Sequence, residues 1–224
     1  MASTKPPFVT VKTTLPILPF PLNSARAPVA TFRLLIRPLS SSDVHGLHRI
    51  RSQPEVMAND LQGRPDATLE ETQPQLTRFL PPNDEKTYHF AICLKETEEF
   101  IGIGGCHSIA SVFGWPAIGY MLTRERWGQG LTTEFTRAFL EMWKTLPRRE
   151  VEIQVDPRSL LDGEVAGGVV KEQVASLTPW DNFASARVME KSGFEEFLVW
   201  SEPDLRDLSV DIELRGFRYV WDQN

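Results

Sequence analysis

Apolar residues recur along this chain in two rhythms, every second position or every third to fourth, and the changes of rhythm mark off its elements. Phe32-Arg33-Leu34-Leu35-Ile36-Arg37 predicts a strand stopped by Pro38. Ser40-Ser41-Ser42-Asp43 supplies capping side chains ahead of a helix carrying Val44, Leu47 and Ile50, which Pro54 ends. Thr68 and Glu71 have capping-box spacing for a second helix with Leu69, Leu76, Phe79 and Leu80, which Pro74 kinks or delays. Tyr88–Leu94 and Phe100–His107, joined by the charged turn Lys95–Glu99, predict an antiparallel hairpin, and Ala117–Leu122 a further strand. Leu131, Phe135, Ala138, Phe139 and Met142 fall on one helical face, closed by Pro147. Val151–Val155 and Gln173–Leu177 both alternate like strands, and the pattern leaves open which is the core strand. A helix over about Phe183–Ser192 is followed by Gly193, suited to a left-handed residue past its end. Strands near Glu195–Trp200 and Val210–Trp221, around a polar loop, finish the chain.

Residues 1–30 are proline-rich and extended, with Phe8–Val11 as an edge strand and apolar residues that predict docking on the rest. Residues 31–224 are expected to form one domain with a surface insertion near 156–172. Pro16, Pro19, Pro21 and Pro28 interrupt the N-terminal apolar residues, and no stretch is long enough to span a bilayer, so a soluble, cytoplasmic protein is expected. A formal charge of -6 with no lysine/arginine block argues against nucleic-acid and membrane-surface roles. Cys93 and Cys106 lie in apolar strands and read as reduced core thiols.

The most informative segment is Trp127-Gly128-Gln129-Gly130-Leu131-Thr132, which runs into the clearest helix of the chain. Two glycines allow close backbone approach to a bulky anion, and the helix that follows presents unpaired N–H groups and a positive dipole end. The turn is neither G-x-G-x-x-G nor G-x-x-x-x-G-K-[ST], which argues against NAD and ATP. Taken alone, it serves equally as a phosphate seat or as a tight strand-to-helix connection.

The element order, the turn and the segment Asn182-Phe183-Ala184-Ser185-Ala186-Arg187-Val188-Met189-Glu190-Lys191-Ser192-Gly193-Phe194 together resemble the GCN5-related N-acetyltransferase (GNAT) superfamily. The turn is similar to the superfamily's [Q/R]-x-x-G-x-[G/A], with Trp127 at the Gln/Arg position and Thr132 at the small-residue position, where it narrows the approach. The later segment resembles the Asn-x-x-Ser…Glu-Lys-x-Gly-Phe signature of the RimJ/RimL-type, ribosomal-protein-alanine acetyltransferase branch, and Tyr120 suits that branch too. The likeness runs from about Arg33 to Val220, leaving out residues 1–30 and 156–172. It implies an α/β (α+β) fold, a mixed, mostly antiparallel sheet flanked by about four helices. It also implies direct acetyl transfer from acetyl-CoA, without a metal, to a primary amine on a small molecule or a protein N-terminus.

On this resemblance the backbone of Gly128, Gln129, Gly130, Leu131, Thr132 and Thr133, with Trp127, would hold the CoA pyrophosphate. Asn182 and Ser185 would face the pantetheine arm, although Asn182 serves equally as a helix N-cap. A backbone N–H near Met121 or Leu122 would polarise the thioester carbonyl. The superfamily's tyrosine acid, four residues after Ser185, is here Met189, which leaves Ser185 or a water it holds as the acid. An alkylamine has a pKa of about 10.4 and needs a base or an ordered water near neutrality. Glu134 and His107 are the candidates, though the helix dipole alone explains Glu134 and a strand histidine is often structural. Asp181 is a base or a turn residue, and Trp115, Trp127 and Trp180 line an acceptor tunnel or pack the core. The missing tyrosine also admits a non-catalytic CoA-binding or partner-binding module with the same fold. The loops around Ser52–Thr68 and Ser201–Ser209 are expected to choose the acceptor, and the chain reads as a monomer or a homodimer.

Overall fold

A computed structural model describes residues 5–221. In chain order it contains β1 (Val9–Pro16), β2 (Val29–Ala30), β3 (Leu34–Pro38), α1 (Val44–Arg51), α2 (Pro54–Met57), α3 (Leu69–Thr77), β4 (Tyr88–Leu94) and β5 (Phe100–Ser108). There follow β6 (Ala117–Leu122), α4 (Leu131–Lys144), β7 (Arg148–Val155), β8 (Gln173–Pro179), α5 (Phe183–Lys191), β9 (Glu195–Asp204) and β10 (Asp207–Val220). The main sheet has eight strands in the order β2-β3-β4-β5-β6-β8-β10-β9, with every neighbouring pair antiparallel except β6 and β8. Among the described residues there are five α-helices rather than about four, the extra one being the single turn α2, which starts on Pro54. None is long and apolar enough to cross a membrane.

Both faces of the sheet are covered, which is why β4 reads as a continuous apolar run rather than an alternating one. Phe90 and Ile92 point to the face packed by Leu131, Phe135 and Phe139 of α4 and by Ala186 and Met189 of α5. Ala91 and Cys93 point to the other, against Leu47 and Ile50 of α1 and Leu76 and Phe79 near α3. Ser40 and Asp43 form a reciprocal capping box on the 3-10 turn that leads into α1. The box expected at Thr68 does not form; the Glu71 carboxylate instead accepts from Arg64 and the Ala67 N–H, and α3 continues through Pro74.

The choice between the two alternating segments is made by burial. Gln173–Leu177 lies in β8, a strand of the main sheet whose consecutive residues Val174 and Ala175 are both buried. Val151–Val155 lies in β7, which pairs with β1 in a separate antiparallel ribbon. Strict alternation with Glu152 and Gln154 marks a half-exposed ribbon, whereas a central strand needs apolar or small residues on both faces. The edge strand expected at Phe8–Val11 extends to Pro16.

Residues 156–172 are not merely a surface insertion. The chain is laced onto β1 through Gly167 N to Thr10 O (2.7 Å), Lys12 N to Gly168 O (2.9 Å) and Val170 N to Lys12 O (2.8 Å). Val170 joins Val11, Phe113, Trp115, Val155 and Ala175 in a third apolar cluster. The segment after β1 is anchored by Arg26, whose buried guanidinium donates to the carbonyls of Pro21, Asp84, Thr87 and His89. At the other end the expected polar loop at Ser201–Ser209 is mostly strand, because β9 and β10 continue as a hairpin arm. Arg206 at its tip donates to the Ala58 carbonyl (3.0 Å).

Candidate active site

β6 and β8 run parallel but pair only at Ala117 and Ala175, so the sheet opens beyond that point. The opening forms a cavity of about 380 Å³. Met121, Leu122, Trp127, Gly128, Gly130, Thr132, Thr133, Asn182 and Ser185 all line it, bringing together residues from β6, the glycine turn, α4 and α5. Gln129 and Leu131, expected beside them, do not: Leu131 is buried in the core, and the Gln129 amide bonds the Glu125 carbonyl.

Gly128 and Gly130 have φ of 71° and 74°, the left-handed conformation glycine adopts without steric cost. Gly130 is the N-cap of α4 and its carbonyl accepts from Glu134 N (3.1 Å), so the N–H groups of Leu131, Thr132 and Thr133 have no partner within the helix. A Cβ at Gly128 would meet nothing within 4 Å, leaving space for a large anion against the backbone. On β6, Thr123 N bonds Ile101 O (2.9 Å) and Met121 pairs with Ile103, which turns the backbone N–H of Leu122 away from β5 toward the opening. The Leu122 carbonyl on that side accepts from the Trp127 indole (2.9 Å), fixing the tryptophan at the rim.

Asn182 caps α5, its Oδ1 accepting from Ser185 N (3.1 Å), and lines the cavity as well. Tyr120, noted in the sequence only as suiting the branch and given no site role, lines the cavity; its hydroxyl donates to the Ser185 carbonyl (3.4 Å), and burial pushes its pKa up to about 12, so the phenol stays protonated. Sequence reasoning missed the cations Arg126, Arg187 and Lys191 on the cavity wall, where Asp60 is the one carboxylate among the described residues. A helical-face reading of α5 would have found two of them, since Ala184, Arg187, Val188 and Lys191 repeat at three- and four-residue spacing.

Glu134 lies away from this arrangement. It does not line the cavity, and its carboxylate accepts from the Thr31 hydroxyl (2.6 Å), Arg33 N (2.7 Å) and Arg33 Nε (2.7 Å). Burial pushes its pKa up, but these hydrogen bonds outweigh it and hold the group below the ordinary carboxylate range. Arg33 Nη1 also donates to Gln129 O (2.8 Å), so the pair clamps the glycine turn from outside.

A second cavity of about 210 Å³ lies on the α1 and α3 side and shares Asp60, Tyr120 and Met121 with the first. His107 is on its wall with Arg51, Gln75, Arg78, Phe79 and His89. The His107 ring lies over Gly119, where a Cβ would stand 3.3 Å from Cδ2. The ring stays in contact with solvent, yet partial loss of water, with the Arg78 charge second, lowers its pKa below the ordinary histidine value. It is therefore neutral at pH 7 and able to accept a proton.

Most of the remaining candidates fall outside both cavities. Trp115 is fully buried, with its indole donating to Ser159 Oγ (2.8 Å), and Trp180 is half-exposed under the Arg215 guanidinium, so of the three tryptophans only Trp127 lines a cavity. Asp181 lines neither, and Met189 is core. The Ser52–Thr68 segment contributes Val56, Asn59, Asp60 and Leu61 to the walls, whereas the Ser201–Ser209 arm contributes nothing. Cys93 and Cys106 are free, buried thiols.

Residues 33–195 match the family model described as acetyltransferase (GNAT) domain. The uncharacterized N-acetyltransferase p20 of Bacillus licheniformis is 28% identical over 131 residues, 58% of this chain and 73% of that protein. Among solved structures, the ribosomal-protein-S5-alanine acetyltransferase of Vibrio fischeri superposes with a TM-score of 0.63 at 15% identity, covering 88% of this chain and 98% of that one. The spermidine N-acetyltransferase of Vibrio cholerae, in complex with CoA and spermine, gives a TM-score of 0.60 at 12% identity over 85% and 96%. The chain belongs to the GNAT acetyltransferase family. It is an N-acetyltransferase, and its acetyl donor is acetyl-CoA.

Proposed function

We propose that the protein transfers the acetyl group of acetyl-CoA directly to a primary amine in a ternary complex, the donor in the larger cavity and the acceptor in the smaller. The observation that carries this reading is the meeting of the two cavities at Tyr120 and Met121, with a helix N-terminus on one side and a neutral imidazole on the other. The chain is acidic overall, but the larger cavity carries Arg187 and Lys191, which have no ion pair among the described residues, besides Arg126, which pairs with Glu99 (2.7 Å), a positive wall that suits a polyphosphate donor. The N–H groups of Gly128, Gly130, Thr132 and Thr133 hold the pyrophosphate, and Asn182 and Ser185 bond the amides of the pantetheine arm. The Asn182–Phe194 segment supports assignment to the RimJ/RimL-type branch.

In this mechanism His107 takes a proton from the acceptor ammonium, directly or through water, and the freed amine attacks the thioester carbonyl. The Leu122 N–H donates to the oxygen that becomes negative. The C–S bond then breaks as the nitrogen, now bonded to the acetyl carbon, gives up its second proton, which Ser185, or a water it holds, relays to the CoA thiolate. Release of free thiol from acetyl-CoA across a panel of amines tests the reading. Amine-dependent release is expected; tight CoA binding without turnover on any amine would instead favour a non-catalytic CoA-binding module.

A further inference from the structure

The smaller cavity carries information about the acceptor, and the inference drawn from it rests on the assignment of that cavity to the acceptor. Its charges are unevenly committed. Arg51 Nε donates to Asp66 Oδ2 (2.7 Å), Nη2 to Asp66 Oδ1 (3.2 Å) and Nη1 to Asp60 Oδ2 (3.4 Å), so this cation is fully committed and the two carboxylates outnumber it. Arg78 is different: its polar contact is the neutral Gln75 Oε1 (3.3 Å), its guanidinium lies 5.8 Å from the centre of the Phe79 ring, and among the described residues it has no ion pair. His89, fully buried and stacked 4.0 Å from Phe79, lines the same wall and leaves Nδ1 without a partner among the described residues. The wall is thus positive at its Arg78 end, which favours an anionic group on the acceptor there, and negative at its Asp60 end. The volume, about 210 Å³, equals roughly seven waters at about 30 Å³ each and suits a small molecule.

We infer that the acceptor is a small amine that also carries a carboxylate, an amino acid in the broad sense, whose carboxylate meets Arg78 while its amine lies toward His107. Polyamines, and amines whose carboxylate is blocked as an amide, fit the same cavity less well, because neither pairs with the guanidinium.

Initial rates of thiol release with a set of amino acids, the same compounds as C-terminal amides, and a polyamine test this directly. The acids are expected to exceed their amides in kcat/KM by about 10- to 100-fold, the range of one charge-assisted contact, with the difference mainly in KM. Arg78→Gln should bring the acids down to the level of the amides, and Arg78→Lys should restore part of the preference. Amides or polyamines as good as the acids, or a preference that survives Arg78→Gln, would overturn the inference. Equilibrium binding of the same compounds to the CoA-loaded protein, followed by the imidazole proton resonances of His107, separates this from the transfer reading. Acids that bind without turnover would uphold the cavity assignment while removing the transfer chemistry. Absence of binding by every acid would overturn the inference itself.

Discussion

Replacing Gly128 by Asp and, separately, by Asn isolates the electrostatic part of donor binding. Gly128 has φ of 71°, a conformation that Asn and Asp tolerate better than other residues, and an added Cβ meets nothing within 4 Å. The two variants therefore share the same backbone cost and the same lost approach space, and differ only in a charge pointing into the mouth of the cavity. A carboxylate about 6 Å from a pyrophosphate carrying two negative charges, at an effective dielectric of about 40 to 80, costs roughly 1.4–2.8 kcal/mol. That corresponds to about 10- to 100-fold in the dissociation constant. Isothermal titration of CoA at low ionic strength should show Gly128→Asp weaker than Gly128→Asn by this factor, with the gap narrowing as salt is added. Gly130 is a poorer probe, because its Cβ would stand 3.6 Å from Arg33 Nη2, which would pair with the new carboxylate. Equal affinities for the Asp and Asn variants at position 128 would refute the placement of the phosphates on this turn.

Three further outcomes follow from the same geometry. His107→Gln should lower kcat by about 10²- to 10⁴-fold and remove the acid limb of the pH–rate profile, which in the native protein falls below pH 6.5 because the imidazole is held below its ordinary value; an unchanged acid limb would exclude His107 as the base. His89, and to a lesser degree His107, are neutral when folded but protonate in the unfolded chain from about pH 6.5 downward, so their contribution to urea stability should be level above that pH and fall below it, approaching about 1.4 kcal/mol per pH unit for His89 and less for His107. In His89→Phe that slope should shrink by one histidine's share, and a slope left unaltered would point to other groups. Arg26→Met strands the buried carbonyls of Asp84, Thr87 and His89 and should lower stability by about 3 kcal/mol in urea titration, while a loss under 1 kcal/mol would mean that water replaces the guanidinium.

Legibility of the site from sequence depended on whether a residue's role is local. The glycine turn and the cap at Asn182 act through their own backbone, and both are where the residue pattern implied. Glu134 had the same local credentials, a carboxylate in the first turn of a helix, but its partners are Thr31 and Arg33, a hundred residues earlier. No window of sequence contains that contact. Arg78 and His89 carried no signal either, because an exposed arginine after a helix and a histidine in an apolar strand are common; they gain meaning only by facing one cavity with His107.

By itself the sequence determined the order of most elements and the place of the glycine turn, since periodicity, proline stops and left-handed glycines are properties of neighbouring residues. Tertiary structure decided which of two alternating strands enters the main sheet, because burial on both faces depends on what packs above and below. It also decided that β6 and β8 part beyond Ala117, and that separation turns a strand end, a glycine turn and two helix starts into one cavity with a second beside it.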